Sequence, residues 1–113
     1  MSQIRVFYLD DEEELLSIFK ETFESETVLI TTFSNPKNFI EEASKSPPHL
    51  AFLDYRLPST TGIEVAKEIP TSIQKVLITG DLNLSGIHGF VAVLTKPFSI
   101  PQIERILEEA EKA

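Results

Sequence analysis

Five side chains stand at the ends of short apolar runs, and as a set they could transfer a phosphoryl group. Asp10 and Asp11 follow Ile4 to Leu9, Asp54 follows Leu50 to Leu53, Thr79 closes the run from Lys75, and Lys96 comes just beyond Phe90 to Leu94. Two carboxylates about 4 Å apart repel by roughly 1 kcal/mol in water and about 4 kcal/mol at an effective dielectric near 20. Three converging carboxylates therefore call for a compensating cation. The donors are hard oxygens, cysteine is absent and the two histidines are isolated, which favours Mg²⁺, with Mn²⁺ as a substitute, over zinc. Beside such an ion Asp54 can act as a nucleophile toward phosphorus. Lys96 would hold one phosphoryl oxygen, and Thr79 would donate a hydrogen bond to another.

For these residues to meet, the runs must be neighbouring parallel strands with their carboxyl ends on one rim, where ligands of α/β sheets usually bind. The chain has that grammar: each apolar run leads into helical spacing. Ile4 to Leu9 reads as strand one, with Leu15, Ile18, Phe19 and Phe23 on the buried face of the helix after it. Thr27 to Phe33 reads as strand two; Ser34-Asn35-Pro36 then supplies a cap and an N1 proline for a helix carrying Phe39, Ile40 and Ala43. Leu50 to Leu53 lacks alternation, as a central strand buried on both faces does. Arg56 to Gly62 is a loop, and Ile63 to Ile69 a short helix stopped by Pro70. Lys75 to Thr79 and Phe90 to Leu94 read as strands four and five. Only Gly80 to Gly89 lies between them, room for a short or irregular fourth helix. Ser99 and Gln102 form a capping-box pattern before a helix with Ile100, Ile103, Ile106, Leu107 and Ala110 as its buried stripe.

Composition narrows the function classes. The 113 residues fit one domain, 1–113, with 42% hydrophobic and 25% charged residues. A net charge of −8 works against binding to nucleic acid or anionic membranes. The absence of cysteine rules out disulfides and thiolate chemistry. The start, MSQIRVFYLDDEEE, is unlike a signal peptide, and no apolar run nears the roughly 20 residues that span a bilayer. A soluble, cytoplasmic protein is expected.

The ordered set YLDDEEE, AFLDYRLPSTTG, VLITG and VLTKPF resembles the response-regulator receiver domain of two-component signalling over nearly the whole chain. The resemblance implies a flavodoxin-like, doubly wound five-stranded parallel sheet of order 2-1-3-4-5. It implies that Asp54 accepts a phosphoryl group from a phosphohistidine of a histidine kinase or phosphotransfer protein, or from acetyl phosphate. It also implies that Asp11, Asp54 and the Arg56 carbonyl bind Mg²⁺, with Asp10 acting partly through water. Lys96-Pro97 resembles the family's cis peptide. A protein of this kind catalyses its own phosphorylation and dephosphorylation, switching which partner surface is populated. The chain ends soon after the last helix, so no output domain is expected within it: it would act alone, relay phosphate or be part of a longer protein.

Three departures stand out. Val93 occupies the place of the family's aromatic switch residue, Thr61 stands where an Asp or similar residue often precedes the loop glycine, and the segment from Thr79 to Lys96 is roughly one helical turn short. Arg56 and Asp81 border the path of the hydrolytic water in this family, and an ion pair between them would lengthen the phosphorylated state. Glu12, Glu13 and Glu14 read as helix-dipole acids and not as ligands. His49 and His88 read as loop or surface residues, and Phe98 as a packing residue near the site. Two other functions compete. A degenerate receiver would be a phosphorylation-independent protein-binding module. A haloacid-dehalogenase-like phosphatase would need an Asp two residues after its nucleophile, where Arg56 stands.

Overall fold

Alternation along the first strand divides the core. The computed structural model describes residues 3–80 and 87–112. In β1 (Ile4–Leu9), Ile4, Val6 and Tyr8 point to one side of the sheet while Phe7 and Leu9 point to the other, the period-two geometry of a strand. The first side packs on α1 (Glu13–Phe23) and α4 (Ile100–Lys112) through Leu16, Phe19, Phe23, Ile103 and Leu107. The second side packs on α2 (Pro36–Lys45) and α3 (Gly62–Ala66) through Phe39, Ala43 and Val65. Both faces of the central strands are covered, which is why β3 (Leu50–Asp54) is buried at every position.

Four parallel pairings join β1 to β2 (Val28–Phe33), β1 to β3, β3 to β4 (Gln74–Thr79) and β4 to β5 (Ala92–Thr95), giving the order β2-β1-β3-β4-β5. This is the expected flavodoxin-like order. The strand order reverses between β1 and β3, so a crevice opens beyond their carboxyl ends. Asp10 follows β1 and Asp54 ends β3 at that crevice.

Local signals act where the sequence puts them. The Asn35 side chain accepts the N–H groups of Lys37 at 2.8 Å and Asn38 at 3.2 Å, with Pro36 at N1. Gln102 Oε1 accepts the Ser99 N–H at 2.8 Å and Ser99 Oγ the Gln102 N–H at 3.4 Å, a capping box. The outer edge of β2 is closed from α1: Ile30 N–H donates to Glu24 Oε2 at 3.0 Å while Lys20 Nζ donates to the Ile30 carbonyl at 2.8 Å. That covers backbone groups on which another strand could pair.

Several details differ from the sequence reading. On α1 the buried stripe is Leu16, Phe19 and Phe23, and Ile18 is exposed. Leu15 and Leu16 are adjacent, so two overlapping stripes were compatible with the spacing, and docking on the sheet selects the one with Leu16. Ile100 is likewise exposed, because it begins α4 before the helix meets the sheet. Strand β2 starts at Val28, one residue after Thr27. Strand β5 starts at Ala92: the Val91 N–H reaches the Lys75 carbonyl at 2.8 Å, but ladder pairing begins only with Ala92 opposite Val76. Helix α3 spans Gly62–Ala66 and gives way to turns, with Ile69 still buried. The expected short fourth helix falls largely on 81–86, outside the described residues. Among the described residues, no helix is long and apolar enough to cross a membrane.

Candidate functional site: an acidic rim with one lysine

Backbone bonds hold the rim together before any side chain acts. Asp10 N–H donates to the Phe33 carbonyl at 3.1 Å, Tyr55 N–H to Ile78 at 2.7 Å, and Lys96 N–H to Thr79 at 2.9 Å. These bonds extend the pairing of β1 with β2, of β3 with β4 and of β5 with β4 past the strand ends, leaving the crevice between β1 and β3. Behind Asp54 the chain folds back tightly: Gly62 N–H donates to the Tyr55 carbonyl at 2.8 Å, and a Cβ at Gly62 would run into the Asp54 carbonyl. Only glycine fits there. Thr61, next to it, caps α3 by accepting the Glu64 N–H at 3.2 Å, a task an Asp at that position could equally perform.

The carboxylates converge as expected. Asp10, Asp11 and Asp54 each present an oxygen within 4.8 Å of the others, and Asp10 and Asp54 are buried while Asp11 is exposed. Lys96, which precedes a cis peptide bond to Pro97, lies 3.2 Å from Asp54 Oδ1, 3.3 Å from Asp10 Oδ2 and 3.3 Å from Glu12 Oε1. One ammonium therefore serves three acids. Burial, joined by the charge of Asp10 and opposed by Lys96, pushes the Asp54 carboxyl up to about 6. Burial alone would lower Lys96, but attraction to Asp10 and Asp54 outweighs it and leaves the ammonium above its ordinary value. Repulsion at Asp54 is thus only partly relieved by the lysine, and the oxygen-only donor set suits a hard divalent cation such as Mg²⁺.

Thr79 is buried at the end of β4, one residue beyond the register partner of Asp54. The Arg56 backbone bridges to Thr61 across the loop, and its guanidinium lies 5.9 Å from the Tyr55 ring centre. Asp81, the other half of the expected ion pair, lies outside the described residues. Val93 pairs with Leu77 and is 45% exposed. Phe98 packs edge-on against Phe19 at 6.4 Å, a structural role. His49 and His88 are exposed.

Two participants were missed in the sequence. Glu12, read only as a helix-dipole acid, makes no side-chain cap bond and reaches Lys96 instead. Tyr8, counted as a strand residue, donates its hydroxyl to Asp10 Oδ2 at 2.6 Å. The signal was its spacing, since residues two apart on a strand share a face. Burial and then the bond to Asp10 hold the Tyr8 phenol far above its ordinary value, so it remains a donor. Beside Lys96 a groove of about 490 Å³ opens between α1 and the turn after β5, lined by Leu15, Ile18, Phe19, Phe23 and Phe98.

Known proteins share this architecture. The response regulator receiver domain family matches residues 6–108. Sporulation initiation phosphotransferase F of Bacillus subtilis is 26% identical over 111 residues, covering 91% of this chain and 90% of that protein. Regulatory protein VanR of Enterococcus faecium is 27% identical over 101 residues, covering 83% of this chain but only 44% of VanR, so the chain matches less than half of that relative. Among solved structures, a CheY-like receiver domain from Methylobacillus flagellatus superposes with a TM-score of 0.85 at 22% identity, covering 96% of this chain and 99% of that one. TrrA from Thermotoga maritima, in complex with Mg(2+)-BeF, gives 0.83 at 22% identity and covers 97% and 99%. The family match spans both acids after β1, the acid ending β3, the threonine of β4 and the lysine after β5, and the chain belongs to the response regulator receiver domain family of two-component systems.

Proposed function

We propose that this chain is a phosphoacceptor switch in which an Asp54 oxygen attacks the phosphorus of a phosphohistidine on a histidine kinase or phosphotransfer protein. The P–N bond breaks, the imidazole leaves, and an aspartyl phosphate forms. The observation that carries this reading is the placement of Asp54: buried at the end of β3, beside two other carboxylates, with the Lys96 ammonium at 3.2 Å. Asp11, Asp54 and the Arg56 carbonyl are the proposed Mg²⁺ ligands, with Asp10 contributing through water. Bound there, Mg²⁺ supplies positive charge against the transferred oxygens. Lys96 exchanges one of its carboxylates for a phosphoryl oxygen, and the Thr79 hydroxyl donates to another. The apolar groove beside Lys96 supports a protein donor that docks there.

The test is intact mass after incubation with Mg²⁺ and acetyl phosphate. Wild type is expected to gain one phosphoryl group and Asp54→Ala none. A second reading, a degenerate receiver that binds partners without phosphorylation, is favoured by Val93, which offers no ring where the family usually has one. Failure of wild type to gain mass, together with an NMR spectrum unmoved by Mg²⁺ and beryllofluoride, would select it.

A further inference from the structure

Tyr8 is fully buried, and its ring neighbours are Phe19 at 4.6 Å and Phe52 at 6.3 Å. A phenylalanine would satisfy that surrounding, whereas a buried phenol must find a partner for its hydroxyl. The partner here is a carboxylate of the candidate metal site. Asp10 Oδ2 accepts the Tyr8 hydroxyl at 2.6 Å and lies 3.3 Å from Lys96 Nζ, while Oδ1 accepts the Glu12 N–H at 2.9 Å. Both oxygens are therefore engaged from within the protein. Hydrogen bonds to an ionised acceptor are short and strong, so although each oxygen keeps a second lone pair, rotating the carboxylate to aim Oδ2 at an ion works against the bonds that hold it.

We infer that Tyr8 is a positioning residue for the cation site, holding Asp10 Oδ2 back from direct coordination so that Asp10 meets Mg²⁺ through water. This rests on the Mg²⁺ reading proposed above. The hydroxyl also disperses part of the Asp10 charge. Apo protein thereby tolerates its three acids, and Mg²⁺ binds less tightly than an undamped acidic cluster would bind it. Reversible loading follows from the same bond.

The experiment compares wild type with Tyr8→Phe, which keeps the ring. Mg²⁺ affinity is measured by calorimetry, and unfolding by urea in EDTA and in saturating Mg²⁺. Tyr8→Phe is expected to bind Mg²⁺ roughly three- to tenfold more tightly. By linkage, it should lose correspondingly more stability in EDTA than in Mg²⁺. Equal affinities with equal losses under both conditions would overturn the inference, because a side chain that only packs has no reason to couple to the ion. Absence of Mg²⁺ binding by wild type would overturn the metal reading itself and this inference with it. Should Tyr8→Phe not fold, the Tyr8 hydroxyl proton of the wild type decides by NMR. It should persist and shift as Mg²⁺ is added, and its loss at saturation would mean that Asp10 has turned to the ion.

Discussion

At the carboxyl rim of the sheet one ammonium lies 3.2 to 3.3 Å from three carboxylates, whereas at the amino rim the cations are met mainly by backbone. Arg5 donates to the carbonyls of Pro47 and Ser46, both at 2.9 Å, and its own N–H donates to His49 Nδ1 at 2.9 Å. Buried Lys75 donates to the carbonyls of Pro70 at 3.2 Å and Ile73 at 3.0 Å. These carbonyls do not titrate and are already occupied by the protein's own cations, so the amino rim has little to offer Mg²⁺ or phosphate. Carboxylates that repel one another respond to both. The same parallel sheet thus carries one end that closes its charges off and one that leaves them under-compensated, and the second is where a divalent cation such as the proposed Mg²⁺ would have charge to offset.

The contrast breaks most completely at Gly62, which lets α3 approach the back of Asp54. Gly62→Ala sets a Cβ against the Asp54 carbonyl and near Leu77 Cδ1. The backbone must shift, at an expected cost of about 3 kcal/mol, the upper range for overpacking. Urea unfolding measures it, and phosphorylation by acetyl phosphate should fall with it because Asp54 moves. A variant of wild-type stability would show that the loop relaxes freely and that Asp54 is not held from behind.

A smaller effect sharpens the comparison through pH. Burial and Asp10 raise the Asp54 carboxyl from 3.8 to about 6, so between those values the folded protein binds a proton that the unfolded chain has released. Stability from this group is therefore lost as pH rises from about 4 to 6, and the deficit is constant above. With the side chain only 7% exposed, the deficit is on the order of 2 kcal/mol. Asp54→Asn carries no such charge. In EDTA its stability relative to wild type should climb across that window and level off near neutrality, and Mg²⁺ should narrow the gap. A difference independent of pH would mean that Lys96 already neutralises the rim.

Much of this rim was legible because Asp10, Asp54, Thr79 and Lys96 each follow an apolar run, and parallel strands bring such ends together. What stayed hidden depends on direction rather than on order. Glu12 had a sufficient local explanation as a first-turn acid, and nothing in the spacing said that its carboxylate would bend to Lys96 across 84 residues. Tyr8 hid inside a strand whose alternation is otherwise apolar. Leu16 and Ile18 changed places because helical spacing gives a stripe only to within a residue, and the sheet chooses. At the amino rim, Arg5 and His49 gave no motif, since their partners are backbone groups, which every residue possesses.

The smallest expected effect tests that other end. Arg5→Ala removes two hydrogen bonds to carbonyls of the turn before β3 and leaves the ladder in place, a loss of about 1 kcal/mol. Carbonyls freed by this change can be taken over by water, since Ser46 and Pro47 are exposed. The loss should therefore be the same in EDTA and in Mg²⁺, and the phosphorylation rate should not change. That invariance separates the two rims, because any variant whose stability cost depends on Mg²⁺ is reporting on the acidic crevice. If Arg5→Ala shifted Mg²⁺ affinity more than twofold, the rims would be coupled through β1, which carries Arg5 at one end and leads into Asp10 at the other, and the amino end could no longer be treated as inert scaffold.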